Sequence, residues 1–152
     1  MNRKTFVNFV GISFSIVYFL TFFYIVFLAR RRRHLDGRFT NLVPFEGTIQ
    51  HYRELNPSNH SEVYNFYTNL YGNIALFIPF SIILLWLLRI RNKFKVIMIA
   101  MAASLTIELV QYALKIGIAD IDDVILNTTG AVIGVLFFII LERLLKRNVL
   151  IS

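Results

Sequence analysis

The chain has 152 residues, 57% of them hydrophobic, 15 phenylalanines, no cysteine and a net charge of +7. A mean hydropathy of +0.62 excludes an ordinary soluble domain and places the chain in the membrane class. The missing cysteine excludes disulfides, thiolate metal sites and cysteine nucleophiles. The basic residues flank apolar runs, which assigns them to headgroups and topology and not to nucleic acid.

The first apolar run, 6–29, carries no charge. It is too long for a signal peptide, lacks a small-x-small cleavage site and ends on Arg30, Arg31, Arg32 and Arg33, so it reads as an uncleaved span. A polar loop, 30–65, follows, with room for a short helix and none for a second domain. The second run, 67–88, contains Pro79, which should kink it. Trp86 lies near one end and Tyr64, Tyr67 and Tyr71 near the other, as in the aromatic belts of two membrane interfaces. The third and fourth runs, 96–114 and 124–141, are close to the minimum spanning length of about 17 residues. The fold expected is an all-α integral membrane protein, a four-transmembrane-helix bundle forming one membrane domain over 1–152.

With four spans, both termini and the basic loop 89–95 share one side. Nine Lys and Arg lie there and seven on the other. The short, purely basic loop tips the orientation toward cytoplasmic termini in a bacterial cytoplasmic membrane.

Polar residues inside the apolar runs carry the functional signal. A charged group at midhelix costs about 2.5–3.5 kcal/mol by insertion scales. Ser104, Glu108, Gln111 and Lys115 are spaced 4, 3, 4, which places them on one helix stripe. Asp123, Asn127, Gly130 and Gly134 repeat that spacing in the fourth run. Asn65, Asn69 and Asn73 step by four in the second. Span parity puts these stripes at one membrane level, on the side of the long loop. Asn69, Asn73, Glu108, Gln111, Asp123 and Asn127 are therefore expected to converge in one leaflet, beneath the arginine-rich loop.

Each residue also has a plain structural reading. Glu108 can snorkel or pair with Lys115, and Gln111 can bond a neighbouring helix. One of Asp120, Asp122 and Asp123 can cap the last helix, but three exceed what a cap needs. Gly130-x-x-x-Gly134 suits close helix packing. The four arginines read first as a topology anchor. No nucleophile–base pair and no phosphate loop is visible. His34, His51 and His60 have no metal-ligand spacing, and no metal or cofactor is expected. An oxygen-ligand site for Mg2+ or Ca2+ from Glu108 and the aspartates is chemically allowed but not specified by spacing.

Four pieces in order carry a resemblance. They are Asn41-Leu-Val-Pro44-Phe45, Asn69-x-x-Gly-Asn73-Ile-Ala-Leu-Phe-Ile-Pro-Phe80, Glu108-Leu-Val-Gln111, and Asp120-Ile-Asp-Asp-Val-Ile-Leu-Asn127-Thr-Thr-Gly130. Together, over about 41–141, they resemble the VanZ-like family of small bacterial membrane proteins, named for a member linked to teicoplanin resistance. The resemblance implies an α-helical membrane protein of the cell envelope, and for some members lower susceptibility to glycopeptide antibiotics. It also adds Asn41 and Pro44 to the candidate ligand residues. Relatives commonly carry an arginine shortly before the aspartates, where this chain has Ile118.

Three readings follow. The first is a protein that engages a lipid-linked wall precursor or a lipoglycopeptide, with the four arginines contacting headgroups and Glu108, Gln111, Asp123 and Asn127 supplying polar contacts. The second is an intramembrane enzyme with Glu108 and Asp123 as acid–base groups or metal ligands. The third is an assembly subunit packed through Gly130 and Gly134. Transport is disfavoured, because four helices without inverted repeats leave little room for alternating access. The oligomeric state is left open.

Overall fold

A computed structural model describes residues 2–29 and 36–149. Arg30 to Arg33, expected to contact headgroups, lie outside these residues. In chain order the elements are α1 (Arg3–Phe23), continued by a π-helical turn (Tyr24–Leu28), β1 (Thr40–Asn41), α2 (Glu46–Glu54), α3 (His60–Trp86), α4 (Lys93–Leu114), β2 (Ala119–Asp120) and α5 (Ile121–Val149). Four helices are long and apolar enough to cross a membrane. Their large apolar residues stay exposed on many sides, from Phe9 and Leu20 to Leu109 and Phe137, as a bilayer solvent requires.

The helix limits have local causes. Helix α3 begins at His60, before the apolar run, because Asn59 accepts from the Glu62 N–H at 3.3 Å and Glu62 complements the dipole in the first turn. Helix α4 is capped likewise, with the Asn92 side chain accepting from Lys95 N–H at 3.0 Å. It stops at Lys115, which turns left-handed with φ 55°. Helix α5 runs past the apolar run to Val149.

Pro79 lies inside α3 without interrupting it. A proline there removes one backbone donor and disturbs its neighbours, and side chains attend to the carbonyls around it. The Tyr18 hydroxyl donates to Leu76 O at 2.6 Å, and Ser81 Oγ donates to Ile78 O at 3.0 Å. Below the tyrosine, Phe22, Phe77 and Phe80 form an aromatic cluster with ring centroids 5.2–6.0 Å apart. Val26, Leu84, Leu85, Val96, Ala100, Ala131 and Val135 complete the core cluster.

Helices α3 and α5 run parallel and touch backbone to backbone. A Cβ on Gly130 would overlap the Ile74 carbonyl, and one on Gly134 would overlap Ile78 O and Ser81 Oγ. The small-residue pair thus lets the two backbones approach closely. At the end where α3 and α5 begin and α1 and α4 finish, β1 and β2 pair in parallel, Thr40 beside Ala119 and Asn41 beside Asp120. This two-residue ladder ties the long loop to the entrance of α5.

Candidate functional site

The polar residues of the spans collect at this same end. Asn73 Nδ2 donates to Asp123 Oδ1 at 2.5 Å, joining α3 to α5. Asn127 Nδ2 donates to Ser104 Oγ at 2.8 Å, joining α5 to α4. Gln111 Nε2 reaches Val26 O at 3.1 Å, one of the last carbonyls of the first span, where intrahelical donors run out. Glu108 Oε2 accepts the Asp120 N–H at 3.0 Å and so holds the start of α5 from inside α4. Asn73, Ser104, Glu108, Gln111, Asp122, Asp123 and Asn127 are all buried. Each hydrogen bond here spans two elements, and a buried polar group left without one is costly. Two acceptors, Gln111 Oε1 and Asn127 Oδ1, have no protein partner among the described residues.

The loop is fastened by the aspartates. Asp122, only 2% exposed, takes the Phe45 N–H on Oδ1 at 2.6 Å and the Thr48 hydroxyl on Oδ2 at 2.5 Å. Asp120 Oδ1 takes the Asn41 amide at 3.0 Å and the Asp122 N–H at 2.8 Å. Phe45 has a φ of 64°, a left-handed value costing a residue other than glycine about 1–2 kcal/mol. It follows Pro44 in a turn closed by Glu46 N to Val43 O at 3.3 Å. Asp122 offsets that strain by bonding the N–H of the strained residue. Gly47 leaves room for the Asn41 side chain, whose amide a Cβ there would meet.

Between the fastened loop and α3 lies a cleft of about 330 Å3. Its polar lining is Asn41, Thr48, His51, Asn65, Asn69 and Asp120, and its apolar lining includes Phe66, Leu70, Ile118 and Leu126. The His51 ring stands edge-on to Phe66, centroids 5.2 Å apart. Among the described residues, no Lys or Arg lines it. Such a wall offers amide and hydroxyl hydrogen bonds, one carboxylate and an apolar floor.

The sequence candidates thus divide. Asn41, Asn69 and Asp120 line the cleft, whereas Asn73, Glu108, Gln111, Asp122, Asp123 and Asn127 lie behind it in hydrogen-bonded packing. The α3 stripe splits: Asn65 and Asn69 are exposed, Asn73 buried. A four-residue step advances 400°, so each asparagine sits about 40° round from the last, and the stripe crosses from surface to core. Pro44 shapes the turn and does not line the cleft. Gly130 and Gly134 are packing residues. Thr48 and His51 were not singled out as ligand residues, since nothing in a short polar helix marks which face meets the bundle. Ile118, in the position where an arginine was expected, is exposed at the cleft wall. Among the described residues, no group of three or more acids and histidines is placed to hold a metal ion.

The carboxyl of Asp120 is held above the usual carboxylate range. Burial is the main cause, with the neighbouring Asp122 charge adding to it, against hydrogen bonds from Asp122 N–H and Asn41. A raised acid makes the folded state bind the extra proton. Its ionisation penalty is therefore fully present above the folded pKa and is relieved as pH falls through that value toward 3.8. Asp120→Asn keeps an oxygen for both donors and carries no charge. It should raise the unfolding temperature in detergent at pH 7, and the gain should shrink as the pH approaches 4. An equal difference at both pH values would contradict this assignment.

Comparison with known proteins fits this architecture. The VanZ/LLP1 family model matches residues 9–142, which adds the first span to the region that the motifs covered. Protein VanZ of Enterococcus faecium is 33% identical over 84 residues, 55% of this chain and 52% of that protein. The chain therefore spans about half the length of the curated relative it matches. No solved structure matches it. A match that reaches into all four apolar helices and takes in the fastened loop makes the chain a multi-pass membrane protein of the VanZ/LLP1 family.

Proposed function

We propose that this chain is an envelope membrane protein whose cleft engages the polar head of an amphiphile, a lipid-linked wall precursor or a lipoglycopeptide, and that it lowers susceptibility to teicoplanin-class antibiotics. The observation that carries this reading is the cleft at the loop end of the bundle, with hydrogen-bonding groups above an apolar floor. Binding is favoured over catalysis because Glu108, the general base of the enzyme reading, and its partner Asp123 stand behind the cleft wall, which among the described residues leaves Asp120 as the one acid in the lining. The termini face the cytoplasm in this reading, so the cleft opens outward, toward wall precursors and drug. The likeness to Protein VanZ supports the drug class.

Expression in a sensitive host should raise the inhibitory concentration of teicoplanin several-fold. Asn69→Leu and His51→Leu, both at exposed cleft positions, should abolish that rise while the protein still reaches the membrane in normal amount. No rise with the unmodified chain would refute the drug reading. A rise that both variants preserve would refute the cleft as its site.

A further inference from the structure

The loop that roofs the cleft is more apolar on its outside than a water-facing loop should be. Leu42 is 69% exposed, Val43 56%, Phe45 46%, Ile49 48% and Tyr52 60%. Helix α2 has three distinct faces at 100° per residue. Gly47, Thr48 and His51 face the cleft. Glu46, Gln50, Arg53 and Glu54 form a second, polar face, on which Gln50 Nε2 donates to Glu54 Oε1 at 2.9 Å. Phe45, Ile49 and Tyr52, spaced 4 and 3, form a third, exposed stripe, with the Tyr52 ring 5.9 Å from that of Phe66. A contiguous apolar patch of this kind marks an interaction surface.

The occupant follows from continuity. The loop is pinned beside the lipid-facing end of α4 and the start of α5. Arg38 lies over the Tyr112 ring, 5.8 Å from its centroid, and the Ala119 N–H bonds Phe39 O at 3.1 Å. At that end Leu109 and Leu114 are exposed, as span surfaces in lipid are. Exposed Tyr64, Tyr67 and Tyr71 mark the same end of α3, the last two stacked with centroids 5.9 Å apart. The rim of the loop is thus an extension of the lipid-facing surface of the bundle.

We infer that residues 42–52 form an interfacial anchor. The rim of Leu42, Val43, Phe45, Ile49 and Tyr52 lies in the headgroup–acyl boundary of the leaflet, with the Glu46, Gln50 and Arg53 face toward water. The cleft then opens at headgroup depth, and its ligand enters along the leaflet. This inference goes beyond the proposed function and stands without it.

The test uses tryptophan fluorescence of the full chain in phosphatidylcholine vesicles, with Trp86→Phe to remove the only native tryptophan. Val43→Trp and Ile49→Trp place reporters on the rim, and Gln50→Trp places one on the polar face. Phosphatidylcholine brominated near the top of its acyl chains should quench both rim reporters strongly and leave the Gln50→Trp reporter almost unchanged. Acrylamide in the water should do the reverse. Should Trp86→Phe disturb the packing on Gly11, the same pairs are read by difference with Trp86 kept, since it lies at the opposite end of α3. If acrylamide quenches the rim reporters as readily as the polar-face one and brominated lipid does not, the rim faces water and the inference is overturned.

Discussion

Gly130→Leu should destabilise the bundle by about 3 kcal/mol, the upper end of the overpacking range, and leave little folded protein in mild detergent. The leucine side chain would enter the space of the Ile74 carbonyl, a backbone atom that cannot turn aside. Either α3 and α5 separate, which pulls Asn73 from Asp123, or α5 rotates and takes Asn127 from Ser104. Packing and the buried polar bonds are then lost together. Gly72→Ala is the control. It lies in α3, and apart from the local helix backbone no atom of the described residues comes within 4 Å of the position of a Cβ. Alanine there should be neutral or stabilise the helix by about 0.5–1 kcal/mol. Thermal unfolding followed by circular dichroism separates the two. Equal melting of Gly130→Leu and the parent chain would mean that α3 and α5 do not meet at Gly130.

Asp122→Ala should release the loop while leaving the four long helices formed. The substitution strands the Phe45 N–H and the Thr48 hydroxyl, and removes the acceptor that holds Phe45 in its left-handed conformation. Hydrogen bonds to a charged partner contribute about 1.5–3 kcal/mol each, more than a short loop can lose. Asp122→Asn is the gentler change. Its oxygen still accepts from Phe45, and its amide can donate to the Thr48 hydroxyl, so most of the attachment should survive. Hydrogen exchange at residues 41–54 reads the difference. Protection there should collapse in the alanine variant and persist largely in the asparagine variant. Unchanged protection in Asp122→Ala would show that the loop is held by something else.

Much of the framework was visible as hydropathy. Spans are long apolar runs, and the polar stripes of α4 and α5 follow from a 3.6-residue period, so Ser104, Glu108, Gln111, Asp123 and Asn127 could be assigned to inward faces that are indeed buried. What they do there was less visible. Whether a buried acid lines a pocket or holds a backbone N–H depends on the partner across the gap, and Glu108 is bonded to an amide twelve residues away around a turn. Strands β1 and β2 are too short to carry a periodic signal, and the apolar stripe of α2, Phe45, Ile49 and Tyr52, does not mark the face that meets the bundle. Two-residue strands pair here across 79 positions, from Asn41 to Asp120, through side chains as much as through ladder bonds. The motif containing Asn41 and Pro44 marked that segment through resemblance, while its physical reason, a strained turn locked onto Asp122, arises from a contact 77 residues away. The start of α3 was missed because its first turns are polar and reveal themselves only through the Asn59 cap.

The cleft exists only if the loop sits on the start of α5, and a cysteine pair tests that most directly. The chain has no cysteine of its own. Thr40 and Ala119 are neighbours in the parallel ladder. Adjacent strands lie about 4.8 Å apart, within the Cα separation that a disulfide tolerates. Thr40→Cys combined with Ala119→Cys should form one intramolecular disulfide on mild oxidation in native membranes, and adding Asp122→Ala should suppress it. If both thiols of the folded pair stay open to maleimide after oxidation, the loop is not seated on α5 and the cleft is not formed as described.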